Sequence, residues 1–416
     1  MEESVLELMN KQACYGEGIR FVDEMQTEYI DAESGTFNLS LGYNNKYVIE
    51  KVQEQLNNIS HIASPLSKPY SDEVLSMLLK TCIKNINSGW MRDITGSTAN
   101  ECAIKIAQKY TGAIDVINLF MSHHGQTYFT TGISGNTFRR SGFKGMMSPC
   151  SLTVPAPYCY RCHFKAKYPS CDCLCVEAIY DYIRFASSGS VACMILEPIL
   201  GNGGNIVPPK EYFKRIKKLC IENNIVLIAD EVQTGIGRTG YMYASEYFEI
   251  EPNIITLAKG LGGIGIPIAA VLMESRLNVL DSYEHSFTSG SNMISLAAAK
   301  ATIDVISKPE FLRSVRSKGF TLGILLNKLK EKHPCIGDVR GLGLMWGVEI
   351  VDEEGNPDIK KTEAIIENAF LQQRLILRGS RYGFGNVIKV RPALIATEEE
   401  INEIVEKLSL AILGVK

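Results

Sequence analysis

The chain has 416 residues, enough for two or three domains or for one large α/β unit with an appendage. Its 43 Lys and Arg and 46 Asp and Glu give a net charge of −3, which excludes the basic composition of proteins that bind nucleic acid or anionic membranes. We expect a cytoplasmic protein, because no apolar run is long enough for a membrane-spanning helix and the acidic N-terminus is unlike a secretory signal.

The pattern along the chain predicts an α/β fold with a mainly parallel sheet covered by helices. Residues 1–50 are expected to form short strands and turns that pack on a small C-terminal domain. Apolar runs then alternate with amphipathic segments such as 210–224, as buried parallel strands do between helices. The predicted strands are 115–121, 191–199, 224–232, 253–260 and 267–273.

The alternation of predicted strands and helices ends at about residue 300. Residues 311–333 and 397–413 have helical patterns, and 341–350 and 387–392 are strand-like. Thr397, followed by three glutamates, is typical of a helix N-terminus. We therefore predict an N-terminal segment (1–50), a large domain (51–300) and a small α+β domain (301–416).

Most of the twelve cysteines are scattered through apolar segments, which favours reduced thiols over a disulfide framework. The exception is a Cys-rich insertion at residues 150–175. Its residues Cys159, Cys162, Cys171 and Cys175 have a spacing that suits a structural zinc ion, but free thiols or one disulfide suit it equally. No residue is assigned as a metal ligand, and the alternatives stay open.

Two predicted strands end in opposite charges, Asp230 after the first and Lys259 after the second. Ligands of open α/β sheets bind beyond the carboxyl ends of the strands. A buried Asp–Lys ion pair would explain both residues without a ligand. A lysine in a low-dielectric cleft, however, has a lowered pKa and a nucleophilic amine. Such a lysine can hold an aldehyde cofactor while an aspartate keeps the pyridine nitrogen of that cofactor protonated.

The stretches "LIADEVQTGIGRTG" (227–240) and "PNIITLAKGLGGIGIPIAAV" (252–271) resemble the pyridoxal-phosphate signature of class III aminotransferases. These are the ornithine and 4-aminobutyrate type of fold-type I enzymes, and the resemblance extends over nearly the whole chain. It implies that Lys259 forms an internal aldimine with pyridoxal 5′-phosphate and that Asp230 pairs with the ring nitrogen. It also implies that Gln233 hydrogen-bonds the phenolic oxygen and that Val232 packs on one ring face.

Other cofactor contacts follow from the same resemblance. The turn "TGSTAN" (95–100) stands where the family has its phosphate-binding turn, which implies that Gly96 and Ser97 bind phosphate, although any helix start looks similar. Thr98 replaces the usual glutamate. His123 occupies the position of the aromatic residue that stacks on the ring. An imidazole can also titrate near neutral pH, and a histidine bonded only to loop backbone remains the alternative.

The segment "HSFTSGSN" (285–292) loosely matches a family turn whose threonine contacts the cofactor phosphate of the neighbouring subunit. The resemblance therefore implies that Thr288 has this role. It also implies a homodimer with active sites at the subunit interface.

The substrate-binding positions depart from the family pattern. In "IKVRPAL" (388–394), Lys389 stands where the family commonly has an arginine for the substrate carboxylate, and Arg391 lies two residues further on the same side of a strand. In "EPILGNGG" (197–204), Asn202 stands where a glutamate often shields that arginine. Lysine and arginine are not interchangeable at a bidentate site. The glutamate half-reaction is therefore in doubt, unless Arg391 substitutes.

The resemblance implies an aminotransferase that moves an amino group between an amino acid or amine and an oxo acid through a Lys259 aldimine. A pyridoxal-phosphate-dependent amino-acid racemase or epimerase on the same scaffold is the main alternative. A binding protein without catalysis is a third reading, which the retention of Lys259 and Asp230 disfavours. The sequence does not identify the donor or the acceptor.

Overall fold

A computed structural model describes residues 11–143 and 150–415. Its strands, in chain order, are β1 (Ala13–Glu17), β2 (Arg20–Asp23), β3 (Glu28–Asp31), β4 (Ser88–Asp93), β5 (Asp115–Leu119), β6 (Ser151–Val154), β7 (Val191–Leu196), β8 (Val226–Asp230), β9 (Ile254–Leu257), β10 (Ala269–Met273), β11 (Ile336–Leu342), β12 (Met345–Ile350), β13 (Leu375–Ile376), β14 (Arg378–Gly379) and β15 (Val387–Val390).

The helices are α1 (Ser34–Phe37), α2 (Lys46–Asn58), α3 (Ser64–Lys80), α4 (Gly96–Thr111), α5 (Tyr128–Gly132), α6 (Leu174–Phe185), α7 (Lys210–Glu222), α8 (Ala244–Phe248), α9 (Met293–Ile306), α10 (Pro309–Lys332), α11 (Ile359–Leu371) and α12 (Glu398–Leu413). Two short 3₁₀ segments span Lys259–Gly262 and Ser275–Leu277. In the described residues, no helix has the length and apolar character needed to cross a membrane.

The central sheet has seven strands in the order β4-β10-β9-β8-β7-β5-β6. Strands β9, β8, β7, β5 and β6 are parallel, and β10 runs antiparallel to its neighbours β9 and β4. β5, β8, β9 and β10 are buried along their whole length, because apolar side chains on both faces are covered. The predicted mainly parallel sheet is confirmed, and the five predicted strands are β5, β7, β8, β9 and β10.

Two smaller sheets lie outside the central one, in the orders β1-β2-β3-β13 and β11-β12-β15-β14. β3 pairs in parallel with β13, so the N-terminal strands join the C-terminal part of the chain. Helix α10 packs on β11 and α12 packs on α10. The predicted N-cap of α12 is confirmed, since Thr397 and Glu400 form a reciprocal capping box. The division into 1–50, 51–300 and 301–416 stays a prediction.

The Cys-rich insertion connects β6 to α6, and its cysteines are free thiols. In the described part of the chain, one set of three metal-ligating side chains has donor atoms within 4.8 Å of one another, and it is Asp93, Cys102 and His285. The sulfur atoms of the insertion therefore lie further apart than a tetrahedral zinc site requires. Zinc binding by these four cysteines stays an open alternative.

Arg238 joins parts of the chain that are distant in sequence. Its guanidinium is 3% exposed and donates to the carbonyls of Leu344 and Pro392 and to Ser34 Oγ, the last at 3.1 Å. Burial lowers the pKa of Arg238 to about 9. Because the three acceptors follow β11, β15 and β3, this one side chain fixes the small sheets against the turn after β8.

We predict that Arg238→Lys lowers the free energy of unfolding by about 2 kcal/mol, since an ammonium cannot replace the guanidinium in bonding to all three acceptors. Urea unfolding followed by circular dichroism measures the change. Arg313→Lys, on the exposed face of α10, is the matched control and should change stability by less than about 0.5 kcal/mol. Equal midpoints for the two variants would contradict the assigned role of Arg238.

Candidate active site

A cavity of about 410 Å³ lies beyond the carboxyl ends of the parallel strands. This is the edge of an open α/β sheet where ligands bind. Of the residues predicted from sequence to bind the cofactor, all but Thr288 line it: Gly96, Ser97, His123, Asp230, Gln233 and Lys259. The structure therefore brings together side chains that follow four different strands.

Asp230 ends β8 and is only 3% exposed. Its Oδ2 accepts hydrogen bonds from Asn100 Nδ2 and pairs with His124 Nδ1, both at 2.8 Å, while its Oδ1 accepts one from the backbone N–H of Val232. Burial alone would raise the pKa of Asp230, but the bonds from His124, Val232 and Asn100 outweigh it and lower the pKa. The carboxylate is therefore ionised inside the protein.

Lys259 follows β9 and opens a 3₁₀ turn. Its φ of 42° lies in the left-handed region, a strain of about 1–3 kcal/mol that concentrates at functional sites. Burial lowers the pKa of Lys259, and the nearby Asp230 and Glu197 counteract the effect only in part. In the described residues the Asp230 carboxylate lies 2.8 Å from His124 Nδ1 and forms no ion pair with Lys259, so the simple Asp–Lys pair is not what the structure shows.

The turn before α4 presents backbone N–H groups to the cavity. Thr95 caps the helix through a reciprocal bond with Thr98, and Gly96 and Ser97 form the first helical positions. Ser97 Oγ accepts a hydrogen bond from the backbone N–H of Gln126 at 3.0 Å. Gly125, with φ of 148°, lies so close that a Cβ there would be 2.7 Å from Ser97 Oγ. A helix N-terminus of this kind attracts an anion.

The ring of His123 is stacked on that of Tyr382, with centroids 5.1 Å apart and an interplanar angle of 8°. Its backbone N–H donates to Glu197, but its Nδ1 is buried without a partner. Burial, followed by the charge of Lys259, lowers the pKa of His123 to about 3. The structure therefore makes this imidazole neutral at physiological pH, against the expectation of titration near neutrality.

Gln233 and Val232 complete the cofactor side of the cavity. Gln233 is 7% exposed, and its Oε1 is buried without a hydrogen-bond partner. Val232 packs against the helix start, where a Cβ on Gly96 would lie 2.7 Å from Val232 Cγ1. An unpaired buried amide is costly in the absence of a ligand, so Gln233 indicates a polar partner in the cavity.

Thr288 lies elsewhere. It lines a separate surface groove of about 890 Å³ together with Arg92 and Ser291. The segment that carries it is docked on the end of β4, where His285 Nε2 lies 2.9 Å from an Asp93 carboxylate oxygen and Ser291 donates to the carbonyl of Met91. In a single chain, Thr288 does not reach the cavity of its own subunit.

Lys389 and Arg391 lie on one face of β15 and its extension, and both are almost completely buried. The guanidinium of Arg391 forms a two-bond ion pair with Glu33, and its Nη1 is left buried without a partner. Lys389 has no hydrogen bond or ion pair to any described residue. Burial, followed by the charge of Arg391, lowers the pKa of Lys389 well below its usual value.

Asn202 lies half-buried in the turn after β7, next to Gly201 and Gly203. A Cβ on Gly201 would lie 2.3 Å from Gln233 Oε1, so this turn closes one wall of the cavity. At its base, Glu197 accepts hydrogen bonds from the backbone N–H groups of His123 and Gly201. Burial raises the pKa of Glu197 to about 7.

The cavity suits an aldehyde-bearing phosphopyridine. It presents an ionised acid for a protonated ring nitrogen (Asp230), an unpaired amide for a ring substituent (Gln233), a stacking surface (His123) and a helix N-terminus for phosphate. Lys259 supplies an amine with a lowered pKa in the same cavity. Each of these features fits one part of pyridoxal 5′-phosphate.

Sequence reasoning missed the residues that hold these groups in place. Asn100 and His124 both bond Asp230, Tyr382 covers His123, and Glu33 neutralises Arg391. One signal was available for Asn100, which lies one helical turn after Gly96 on the inward face of α4. No local pattern marks Tyr382 or Glu33 as part of the site.

Comparisons with known proteins agree with this chemistry. The family model for class-III aminotransferases matches residues 7–412. A leucine/methionine racemase of Thermococcus litoralis is 34% identical over 408 residues, covering 95% of this chain and 88% of that protein. An acetylornithine aminotransferase of Bacillus cereus is 34% identical over 394 residues, covering 94% and 92%.

The structure of an amine transaminase from an uncultivated Pseudomonas species, in its PLP-bound internal-aldimine form, superposes with a TM-score of 0.89. It is 25% identical and covers 98% of this chain and 95% of that one. The predicted fold-type I architecture, aminotransferase activity and pyridoxal 5′-phosphate cofactor are confirmed. This chain belongs to the class III aminotransferase family.

Proposed function

We propose that the cavity around Lys259 is the active site, and that the enzyme transfers an amino group between an amino acid or amine and an oxo acid. The observation that carries the proposal is the joint placement of Asp230, which is ionised, and Lys259, whose pKa is lowered, in one cavity. Both substrates are small molecules.

Bound pyridoxal phosphate supplies an electron sink that stabilises negative charge on the substrate carbon. Asp230 sustains that property by keeping the ring nitrogen protonated, since its own bonds from His124 and Asn100 keep it ionised. Lys259 is the covalent attachment point. With the cofactor bound, the amine of Lys259, once freed by substrate, would act as base and then as acid toward the proton of the substrate α-carbon.

The other residues of the cavity position the cofactor. Gly96 and Ser97 hold the phosphate at the start of α4, and Gln233 bonds the phenolic oxygen. His123 stacks on one ring face and Val232 packs on the other. Because His123 has a pKa of about 3 and Tyr382 covers its far side, we assign it a stacking role rather than proton transfer.

The substrate carboxylate is proposed to bind at Lys389, with Arg391 Nη1 and Asn202 beside it. Glu33 occupies two of the donor atoms of Arg391, so Arg391 alone does not offer a free bidentate fork. Lys389 offers an amine with no hydrogen-bond or ion-pair partner in the described chain. This arrangement supports lysine, rather than a substituting arginine, as the main carboxylate ligand.

We further propose a cytoplasmic homodimer in which Thr288 of each subunit contacts the cofactor phosphate of the other. The support is the position of Thr288 in a surface groove, outside the cavity of its own subunit. Its segment is fixed to β4, which leads directly into the phosphate-binding turn. The two phosphate contacts would thus be held by one rigid unit.

We expect Lys259→Arg to reduce turnover by roughly 10⁴-fold, because a guanidinium is neither a nucleophile nor a proton donor of suitable pKa. Steady-state kinetics measure the loss. Mass spectrometry after borohydride reduction should locate cofactor on the peptide with Lys259 in the wild type and on no peptide in the variant. Lys218→Arg, on the exposed face of α7, is the control. Retained turnover in Lys259→Arg would overturn the assignment.

We expect Thr288→Ala to weaken cofactor binding about tenfold, which corresponds to the loss of one hydrogen bond to phosphate. Equilibrium dialysis gives the dissociation constant, and sedimentation equilibrium gives the mass of the assembly. Ser289→Ala, at the exposed neighbouring residue, should bind like the wild type. Unchanged affinity in Thr288→Ala, or full affinity in a monomer, would argue against the shared site.

Amino-acid racemisation is the second candidate, and the match to the leucine/methionine racemase favours it. The two activities differ in product. We expect L-leucine and pyruvate in deuterated water to give the oxo acid of leucine together with alanine. Chiral chromatography and mass spectrometry measure both outcomes. Accumulation of α-deuterated D-leucine without oxo acid would show that the racemase is the correct reading.

A further inference from the structure

Lys389 lies on the face of β15 that also carries Val387 and, on the strand extension, Arg391. Two residues before it, Val387 packs on the turn after β7, where a Cβ on Gly204 would lie 2.9 Å from Val387 Cγ2. Two residues after it, Arg391 is close enough to Lys259 to lower its pKa. Side chains two residues apart on a strand share a face. Lys389 therefore shares a face with one residue that packs on the turn after β7 and with another whose charge acts on Lys259.

The charges around Lys389 are almost all positive. Arg391 adjoins it on the same strand extension, Arg378 is opposite it on β14, and Arg381 follows β14. The nearest acid is Glu33, and both of its carboxylate oxygens are bonded to Arg391.

On the other side of Lys389, β12 places Gly347 opposite it and adds no charge there. Glu349, on the same face of β12, is bonded to Arg340 and Arg161. The turn after β7 packs against Gly347 through the neutral residues Gly204 and Asn205. Among the described residues, no acid is therefore available to balance a charge on Lys389.

An unpaired charge in these buried, positively charged surroundings raises the free energy of the protein. A group that can lose its charge avoids this cost. An arginine cannot lose its proton in a protein, whereas a buried lysine can. A lysine that is 2% exposed and has no partner is therefore stable as the neutral amine. A bound substrate carboxylate favours the protonated form of Lys389 instead, because it supplies a negative charge to pair with the ammonium.

We propose that Lys389 is neutral in the empty site and takes up a proton from solvent when a substrate carboxylate binds, so that one site accepts amino acids as well as amines that lack a carboxylate. The proposal rests on the proposed placement of the substrate carboxylate and deepens it. An amine without a carboxylate leaves Lys389 neutral, and no buried charge is left unpaired. An amino acid or oxo acid creates an ion pair at the same place.

The pH dependence follows from the direction of the pKa shift. Carboxylate binding favours the protonated form, so affinity is highest below the pKa of Lys389 in the empty site. Affinity then falls as the pH rises from that value to the higher pKa of the bound state, by up to tenfold per pH unit. An amine donor without a carboxylate has no such dependence on Lys389. The difference between the two donor classes identifies the group.

The test is calorimetry of pentanoate binding to the holoenzyme. Pentanoate has the carboxylate but no amine, so it cannot react. Titrations at one mildly alkaline pH, in phosphate and in Tris, give the number of protons taken up, because the two buffers differ in protonation enthalpy. The visible absorbance of the lysine-bound cofactor is recorded in parallel and reports any proton taken up there. We expect an uptake approaching one proton per site with no matching spectral change.

Lys389→Arg should bind pentanoate without proton uptake. It should also shift the ratio of kcat/KM values for L-alanine and 1-phenylethylamine by about tenfold or more toward alanine, because the permanent charge is unpaired when the amine is bound. Lys360→Arg, at an exposed position at the start of α11, is the matched control and should behave like the wild type in both measurements.

Three results would overturn the proposal: no proton uptake in the wild type, the same uptake in Lys389→Arg, or an uptake fully accounted for by the cofactor spectrum. Each of these can occur in an enzyme that still transaminates, and the proposed function then stands without the lysine switch. A holoenzyme with no transaminase activity toward any amino donor would instead overturn the proposed function.

Discussion

Asp230 ends a fully buried strand and is ionised although it is 3% exposed. Two side chains from other elements bond the carboxylate and keep it ionised: Asn100 from α4 and His124 from the loop after β5. The same elements carry the turn proposed to bind phosphate, at Gly96 and Ser97, and His123, which we propose stacks on the cofactor ring. Stabilising one carboxylate therefore also fixes the distance between the ring-nitrogen end and the phosphate end of the cofactor site. Without these donors, burial would protonate Asp230 and the electron sink would be lost.

Three ionisable groups in or beside the cavity differ in charge state because they differ in partners: Asp230 and Glu197 are almost fully buried, and Lys259 is half-buried. Asp230 has two side-chain donors and one backbone donor, and its pKa is lowered. Glu197 has two backbone donors and lies near Asp230, and its pKa rises to about 7. Lys259 has no carboxylate within ion-pair distance, and its pKa is lowered. Burial is the largest influence on the pKa of each group, and only at Asp230 do the hydrogen bonds outweigh it.

The central sheet and the residues Asp230 and Lys259 could be predicted from sequence, because short sequence patterns mark them. Strands buried on both faces appear as continuous apolar runs, and a charge that ends such a run stands out, as Asp230 and Lys259 do. The supporting contacts could not be predicted in this way. Asn100 is 130 residues from Asp230 and His124 is 106 residues away, and the contacts exist only because α4, β5 and β8 converge at one edge of the sheet. His123 was located by its place in a motif, but its pKa depends on burial in the folded protein and on the charge of Lys259, which lies in a distant segment of the chain.

The roles of the residues proposed to bind the substrate carboxylate were even harder to predict from sequence. From sequence, Lys389 and Arg391 are equivalent candidates on one face of a strand. The structure separates them, because Glu33, 358 residues from Arg391, occupies Arg391 and leaves Lys389 unpaired. That pairing also stabilises the strand extension, since a buried arginine whose acid is removed would destabilise this region by several kcal/mol. Arg391, whose charge is paired with Glu33, stabilises the structure. Lys389, which has no acidic partner among the described residues, is proposed to change its protonation when a ligand binds. The two residues have different proposed roles because a buried lysine can release its proton and an arginine cannot.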